Sequence, residues 1–152
     1  MQPPAVALGI ALVVLIEDPS SGAGPVITSH IVGPPDSPES LRALAAVTDV
    51  VTVDHEVLDL GLMATLESEG VLLRPGAATL AVAADKLAQK RFFVGAGLPT
   101  PDFVEVRSPA DLSSRPWPGF VLKSATGGYD GRGVWVRPSQ TEAAAVLTWA
   151  AG

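Results

Sequence analysis

Lys123-Ser-Ala-Thr-Gly-Gly-Tyr-Asp-Gly-Arg-Gly133 lies between two short apolar runs, Phe120-Val121-Leu122 before it and Val134-Trp135-Val136 after it. Two apolar runs joined by a Gly-dense segment read as a β-hairpin with a long loop. Gly127, Gly128, Gly131 and Gly133 free the backbone to take positive φ and to approach a ligand with no Cβ in the way. Successive amides in such a loop can form a concave anion site, and Lys123 and Arg132 add positive charge to it. The reading is a flap that covers phosphate. Its plain alternative is a hairpin tip that binds nothing.

Around this stretch the chain has 152 residues, the size of one ordinary domain or of two small pieces of larger ones. An apolar share of 47% is enough for a packed core. The net charge of −6, with no face rich in Lys and Arg, argues against a nucleic-acid partner. The absence of cysteine excludes disulfides and thiolate metal sites and fits a reducing cytoplasm. Ala5–Ile16 is apolar but too short to span a bilayer, and it lacks the basic start of a signal peptide, so no membrane association is expected. The 14 prolines and 15 glycines are spread along the chain and punctuate elements, so they do not mark a disordered tract.

Working back to the N-terminus, Met1–Leu8 reads as the tail of a helix ending at Gly9. Ile10–Ile16 is a continuous apolar run, as buried parallel strands show. His30-Ile31-Val32 predicts a short strand. Ser37-Pro38-Glu39 predicts a helix start, with Ser as N-cap and Pro in the first turn, and Leu41, Leu44 and Ala45 then form an apolar face. Asp49–Val53 predicts another strand. Val57–Glu69 has helical spacing through Leu58, Leu62 and Leu66, with Gly70 as its stop. Val71-Leu72-Leu73 closes this part as a further strand, and Thr79–Val94 reads as one helix halted by Gly95 and Gly97. Strands and helices in this alternation indicate a parallel α/β layer.

The character changes at Leu98-Pro99-Thr100-Pro101. Beyond it come a strand at Phe103–Val106, a short helix opened by Ser108 and Pro109, and a bend at Pro116-Trp117-Pro118. After the hairpin, Ser139–Glu142 is a capping box that leads into a helix over Ala143–Ala151. This second part reads as α+β.

Several side chains carry two readings. Lys123 is either a phosphate ligand or a surface lysine at a strand end. Lys86, in Asp85-Lys86-Leu87-Ala88-Gln89-Lys90-Arg91, is either a nucleotide contact or part of a solvated helix face. Asp54 and Glu56 stand at the carboxyl end of a predicted parallel strand, where such sheets place ligands, while alternation turns His55 the other way. Their plain reading is charge at a strand end. Tyr129 and Asp130 are either loop-tip residues or part of the flap. His30 is taken as structural, and Trp117, Trp135 and Trp149 as packing anchors. No Ser-His-Asp or Cys-His set and no cluster of metal-ligating residues is visible, so no catalytic nucleophile and no metal ligand is assigned.

The Gly-Gly-Tyr-Asp-Gly-Arg-Gly run resembles the glycine-rich loop of ATP-grasp enzymes and, more narrowly, that of the 5-(carboxyamino)imidazole ribonucleotide synthase family. Asp49–Glu56 is similar to that family's strand ending in an acidic-x-Glu pair. Gly70–Pro75 resembles its next strand, and Ala84–Leu87 with Gly97–Pro101 resembles its linking helix and the entry to the ATP-grasp domain. The order and spacing agree from Thr48 to Val136, more weakly before.

The resemblance implies a remnant of a Rossmann-like pre-ATP-grasp domain over 1–77, a linking helix over 78–97 and the first part of an ATP-grasp domain over 98–152. It implies an ATP- and Mg²⁺-dependent ligase of purine biosynthesis that carboxylates aminoimidazole ribonucleotide with bicarbonate through carboxyphosphate, acting in the cytoplasm as a homodimer. By position, Lys86, Lys123, Thr126, Gly127, Gly128, Tyr129, Asp130, Gly131, Arg132 and Gly133 would hold ATP, and Asp54 and Glu56 would face the ribonucleotide. Asp54 stands where the family has Glu, one methylene longer. The family's opening strand with its Gly-rich turn, and its Asn-Glu pair that ligates Mg²⁺, have no counterpart here. The expectation is a piece lacking both ends, with no turnover of its own. Two rival readings are another ATP-grasp ligase, such as the formate-dependent glycinamide ribonucleotide transformylase, and a non-catalytic nucleotide-binding or interaction module.

Overall fold

The computed structural model describes residues 2–20, 22–108, 110, 111, 120–128, 131–136 and 143. The chain divides into two compact units, Met1–Leu80 and Ala81–Gly152.

In the first unit, helix α1 (Gln2–Ala7) ends where Gly9 takes φ +68°, and the amide of Ile10 reaches back to Ala5 O at 2.8 Å. Strand β1 (Val14–Ile16) pairs in parallel with β2 (His30–Val32), with Leu15 opposite Ile31. The strand expected over Ile10–Ile16 is therefore shorter. Only its last three residues find a partner, and Ile10 is exposed. An apolar run becomes a strand only where another chain segment takes its backbone groups.

Helix α2 (Pro38–Ala45) starts as its sequence dictates: Ser37 Oγ accepts from the Ser40 amide at 3.2 Å, and Leu41 and Leu44 are buried. Helix α3 (Leu60–Ser68) begins three residues later than Val57, because Asp59 Oδ1 caps it by accepting from Leu62 N at 2.9 Å. It ends at Gly70, whose φ of +94° only glycine takes without strain. The strands expected at Asp49–Val53 and Val71–Leu73 reduce to one parallel bridge, Val51 to Leu73. Two bonds hold it, Val51 N to Leu72 O at 3.0 Å and Arg74 N to Val51 O at 2.9 Å.

The core of this unit is a cluster of Leu41, Leu44, Val51, Met63, Leu66, Leu73, Ala77 and Leu80, against which Val13, Leu15 and Ile31 pack. Met63, Leu66 and Leu73 are the largest of the fully buried side chains. Residues of three helices and four extended segments thus share one apolar interior, a mixed α/β arrangement with parallel pairing.

The helix predicted as one piece over Thr79–Val94 is two, α4 (Ala77–Ala84) and α5 (Lys86–Gly95). Asp85 breaks it. Its backbone is extended at φ −114°, ψ 112°, and its carboxylate accepts from the amides of Leu87 at 2.8 Å and Ala88 at 3.1 Å. The Asp side chain offers the chain a cap in place of a continued helix. The entry to α4 is capped from a distance: Glu67 Oε2, on α3, accepts from Ala77 N at 3.2 Å.

In the second unit, the strand expected at Phe103–Val106 does not form a ladder among the described residues. The segment is held by side chains. Glu105 takes Arg91 on one carboxylate oxygen and Arg107 on the other, each at 2.8 Å. Lys90 Nζ donates to Thr100 Oγ1 at 2.6 Å, fixing the turn after α5. Asp111 accepts from the amides of Arg107 and Ser108, which starts the short helical turn after Ser108. Strands β3 (Val121–Lys123) and β4 (Val134–Val136) then form the expected antiparallel hairpin, with Leu122 opposite Trp135. The Pro116–Pro118 bend, the Ser139–Glu142 capping box and most of the helix after it lie outside the described residues. Among the described residues no helix is long and apolar enough to cross a membrane.

Candidate functional site

The glycine-rich loop is closed at its base by the bond from Ser124 N to Gly133 O at 2.8 Å. Gly127, Gly131 and Gly133 take φ of +71°, +82° and +68°, conformations that a side chain would strain. Gly128 is needed for space: a Cβ there would stand 2.9 Å from Arg132 O. Arg132 and Thr126 are exposed on the loop. Tyr129 and Asp130, named as candidates from the sequence, lie outside the described residues.

Lys123 ends β3, opposite Val134. Strand alternation puts Leu122 and Trp135 on the covered face, while Val121, Lys123, Val134 and Val136 are exposed. The lysine therefore emerges beside three valines, a cation next to an apolar floor.

Lys86 is brought to the same loop. Its amide donates to Ala125 O at 2.8 Å, so the first residue of α5 is fixed to the loop's root, and its side chain is half-buried. This arrangement depends on Asp85, which the sequence reading placed inside a continuous helix. The signal was present: between Leu80 and Pro99, Asp85 is the sole Ser, Thr, Asn or Asp. Because of the break, Lys86 opens a helix and does not lie along a solvated helical face.

Asp54 and Glu56 belong to the first unit, just past the carboxyl side of the Val51–Leu73 bridge. The chain bends over Asp54–Glu56, so the alternation that was expected to turn His55 away does not apply. His55 Nε2 stands 3.9 Å from Asp54 Oδ1, and His55 Nδ1 accepts from Val57 N at 3.2 Å. That bond places the imidazole proton on Nε2, facing the Asp54 carboxylate. Asp54 is exposed and Glu56 half-buried.

The first unit also has an open groove of about 340 Å³ lined by Arg42, Thr48, Asp49, Glu69 and Leu72. It lies at the amino side of the Val51–Leu73 bridge. Parallel sheets bind ligands at the opposite, carboxyl ends, so position argues for Asp54 and Glu56 over this groove. Arg42 and Glu69 close part of it by a bidentate pair, at 2.8 and 2.6 Å, which holds the Glu69 carboxyl below its usual range. Among the described residues no group of three His, Asp or Glu side chains could hold a metal ion.

No protein-family model matches the chain. It is 34% identical over 133 residues to N5-carboxyaminoimidazole ribonucleotide synthase of Mycobacterium tuberculosis, a match covering 86% of this chain and 31% of that protein. Among solved structures, an ADP complex of N5-carboxyaminoimidazole ribonucleotide synthetase superposes with a TM-score of 0.80 at 29% identity, over 96% of this chain and 39% of that one. Over this stretch the chain belongs to the N5-carboxyaminoimidazole ribonucleotide synthase family. The family's synthase from Aspergillus clavatus, complexed with ATP, gives a TM-score of 0.73 at 28% identity over 97% of this chain and 40% of that one. The chain spans about a third of the length of the curated synthases it matches.

Proposed function

We propose that this chain supplies the phosphate-covering flap of an enzyme that uses ATP to carboxylate aminoimidazole ribonucleotide with bicarbonate in purine biosynthesis. The observation that carries it is the bond from Lys86 N to Ala125 O, which ties α5 to the root of the glycine-rich loop. Backbone amides of the run Thr126–Gly133, which includes Tyr129 and Asp130, would surround the triphosphate, and Lys86, Lys123 and Arg132 would supply charge. The apolar face of Val121, Val134 and Val136 beside Lys123 suits a nucleotide, which has a flat base at one end and an anionic tail at the other.

The chemistry asks for these groups. Transfer of a phosphoryl group to bicarbonate spreads negative charge over its oxygens, and prepositioned donors stabilise that charge where it develops. Mg²⁺, when bound to the whole enzyme, would supply charge that neutralises the phosphoryl group, and no cluster of the described residues would hold it. Asp54 and Glu56 take the ribonucleotide, with His55 Nε2 standing 3.9 Å from the Asp54 carboxylate. The whole enzyme acts in the cytoplasm as a homodimer. No observation favours the transformylase or the non-catalytic reading over this one.

Calorimetric titration of the chain with ATP is the test, beside Lys123→Ala. The expected result is binding by the parent chain and at least about tenfold weaker binding by the variant, the loss of one charge-assisted phosphate contact. Equal affinities, or no heat from either, would overturn the flap.

A further inference from the structure

Ser124, Gly128 and Gly133 meet at the neck of the loop, and the serine side chain fills the space beside both glycines. Ser124 is half-buried, and its amide closes the neck on Gly133 O. Its hydroxymethyl group occupies the space that a side chain on either glycine would need. A Cβ on Gly133 would overlap Ser124 Oγ and stand 3.2 Å from Ser124 Cβ; one on Gly128 would stand 3.1 Å from Oγ. The same Cβ on Gly133 would lie 3.7 Å from Gly128 Cα, so the two glycines lie against each other and against the serine. Gly133 is required by packing as well as by backbone angle, and Gly128 by packing.

We propose that Ser124 is a positioning residue of the flap, a wedge that sets the loop relative to Lys123 and to the Lys86–Ala125 bond. This rests on the nucleotide reading above. Gly127, Gly128, Gly131 and Gly133 give the backbone many conformations to lose on meeting phosphate, and that loss weakens binding. With Ser124 against Gly128 and Gly133, the neck of the loop is set before nucleotide arrives. Serine suits the slot in size: alanine leaves a gap, and threonine adds a methyl where neighbours already stand at contact distance.

Arg132 is exposed on the flap and offers a trypsin site, while Arg107, in the same unit, serves as an internal control. The parent chain, Ser124→Ala and Ser124→Cys are digested under native conditions with and without ATP, and the urea midpoint of each is measured alongside. Ser124→Ala is expected to speed cleavage after Arg132 about fivefold, with cleavage after Arg107 and the urea midpoint unchanged. Ser124→Cys, which refills the slot, is expected to return the rate to within about twofold of the parent. In the parent chain ATP slows cleavage after Arg132, and Ser124→Ala needs about five times more ATP for the same protection.

Equal Arg132 rates in the parent and Ser124→Ala would overturn the wedge even if ATP protects both. So would a faster rate matched by a lower urea midpoint, since that is general destabilisation. Absence of ATP protection in the parent would instead overturn the nucleotide reading, and the ligand-free rates would still judge Ser124.

Discussion

The backbone amide of Lys86 donates to the carbonyl of Ala125 at 2.8 Å, so the first turn of α5 and the root of the glycine-rich loop are one hydrogen-bonded unit. The other amides of that turn are also taken within the protein. Leu87 and Ala88 donate to the Asp85 carboxylate, and Gln89 donates to the Asp85 carbonyl. A free helix N-terminus is a ready anion site. Here it grips the loop, and on the proposed reading phosphate is left to the loop amides and the ammonium groups.

Asp85 is therefore the residue on which this junction depends. Asp85→Ala should lower the stability of the second unit by about 1 kcal/mol, the usual loss for an N-cap. Asp85→Asn, which can still accept from Leu87 and Ala88, should recover most of it. Urea unfolding followed by circular dichroism reads both. An Ala variant as stable as the parent would remove the cap from the account.

Glu67 acts as a cap borrowed from a neighbouring helix, since α4 is preceded by Gly76 and has no capping side chain of its own. Glu67→Ala should cost about 1 kcal/mol by the same physics, while Glu67→Gln, which keeps an acceptor oxygen, should cost less. Amide exchange at Ala77 gives a local readout: it should quicken in the Ala variant and little elsewhere.

Leu66 is 1% exposed at the centre of the first unit's cluster. Leu66→Ala removes packed methyl groups and leaves a cavity, at a cost of about 2–5 kcal/mol. Thermal unfolding should show a large fall in midpoint. A fall no larger than that of an exposed position such as Val47→Ala would mean the cluster is not the core.

Acid should weaken the protein through carboxylates held below their usual range, which are Glu39, Glu69 and Asp111 among the described residues. The hydrogen bond from Arg42, and then its charge, hold Glu69 below its usual range; amide donation from Arg107 and then Ser108 does the same for Asp111. A carboxyl depressed in the folded state stabilises above its unfolded value, near ~4, and loses that contribution as pH falls through the folded value. Stability should thus drop on the acid side of that value and not on the alkaline side. Glu69→Gln should flatten part of the drop, and salt should shrink the Glu69 part, because both partners are partly exposed. Urea midpoints across the acid range, at low and high salt, check this; an unchanged slope in Glu69→Gln would exclude the pair.

What the amino-acid order settled here is local. Ser37 announces α2, Gly70 ends α3 and the glycines of 127–133 bend the hairpin, because a cap or a positive φ depends on residues a few places away. The two apolar runs around the loop likewise pair as their composition dictates. Only folding decided the rest. Ile10–Val13 and Phe103–Val106 have strand composition, yet among the described residues they join no ladder. The Ser124 wedge and the Lys86–Ala125 bond join residues that no local pattern connects. Hydrogen bonds and packing between distant segments are set by which surfaces meet, and that is a property of the folded chain as a whole.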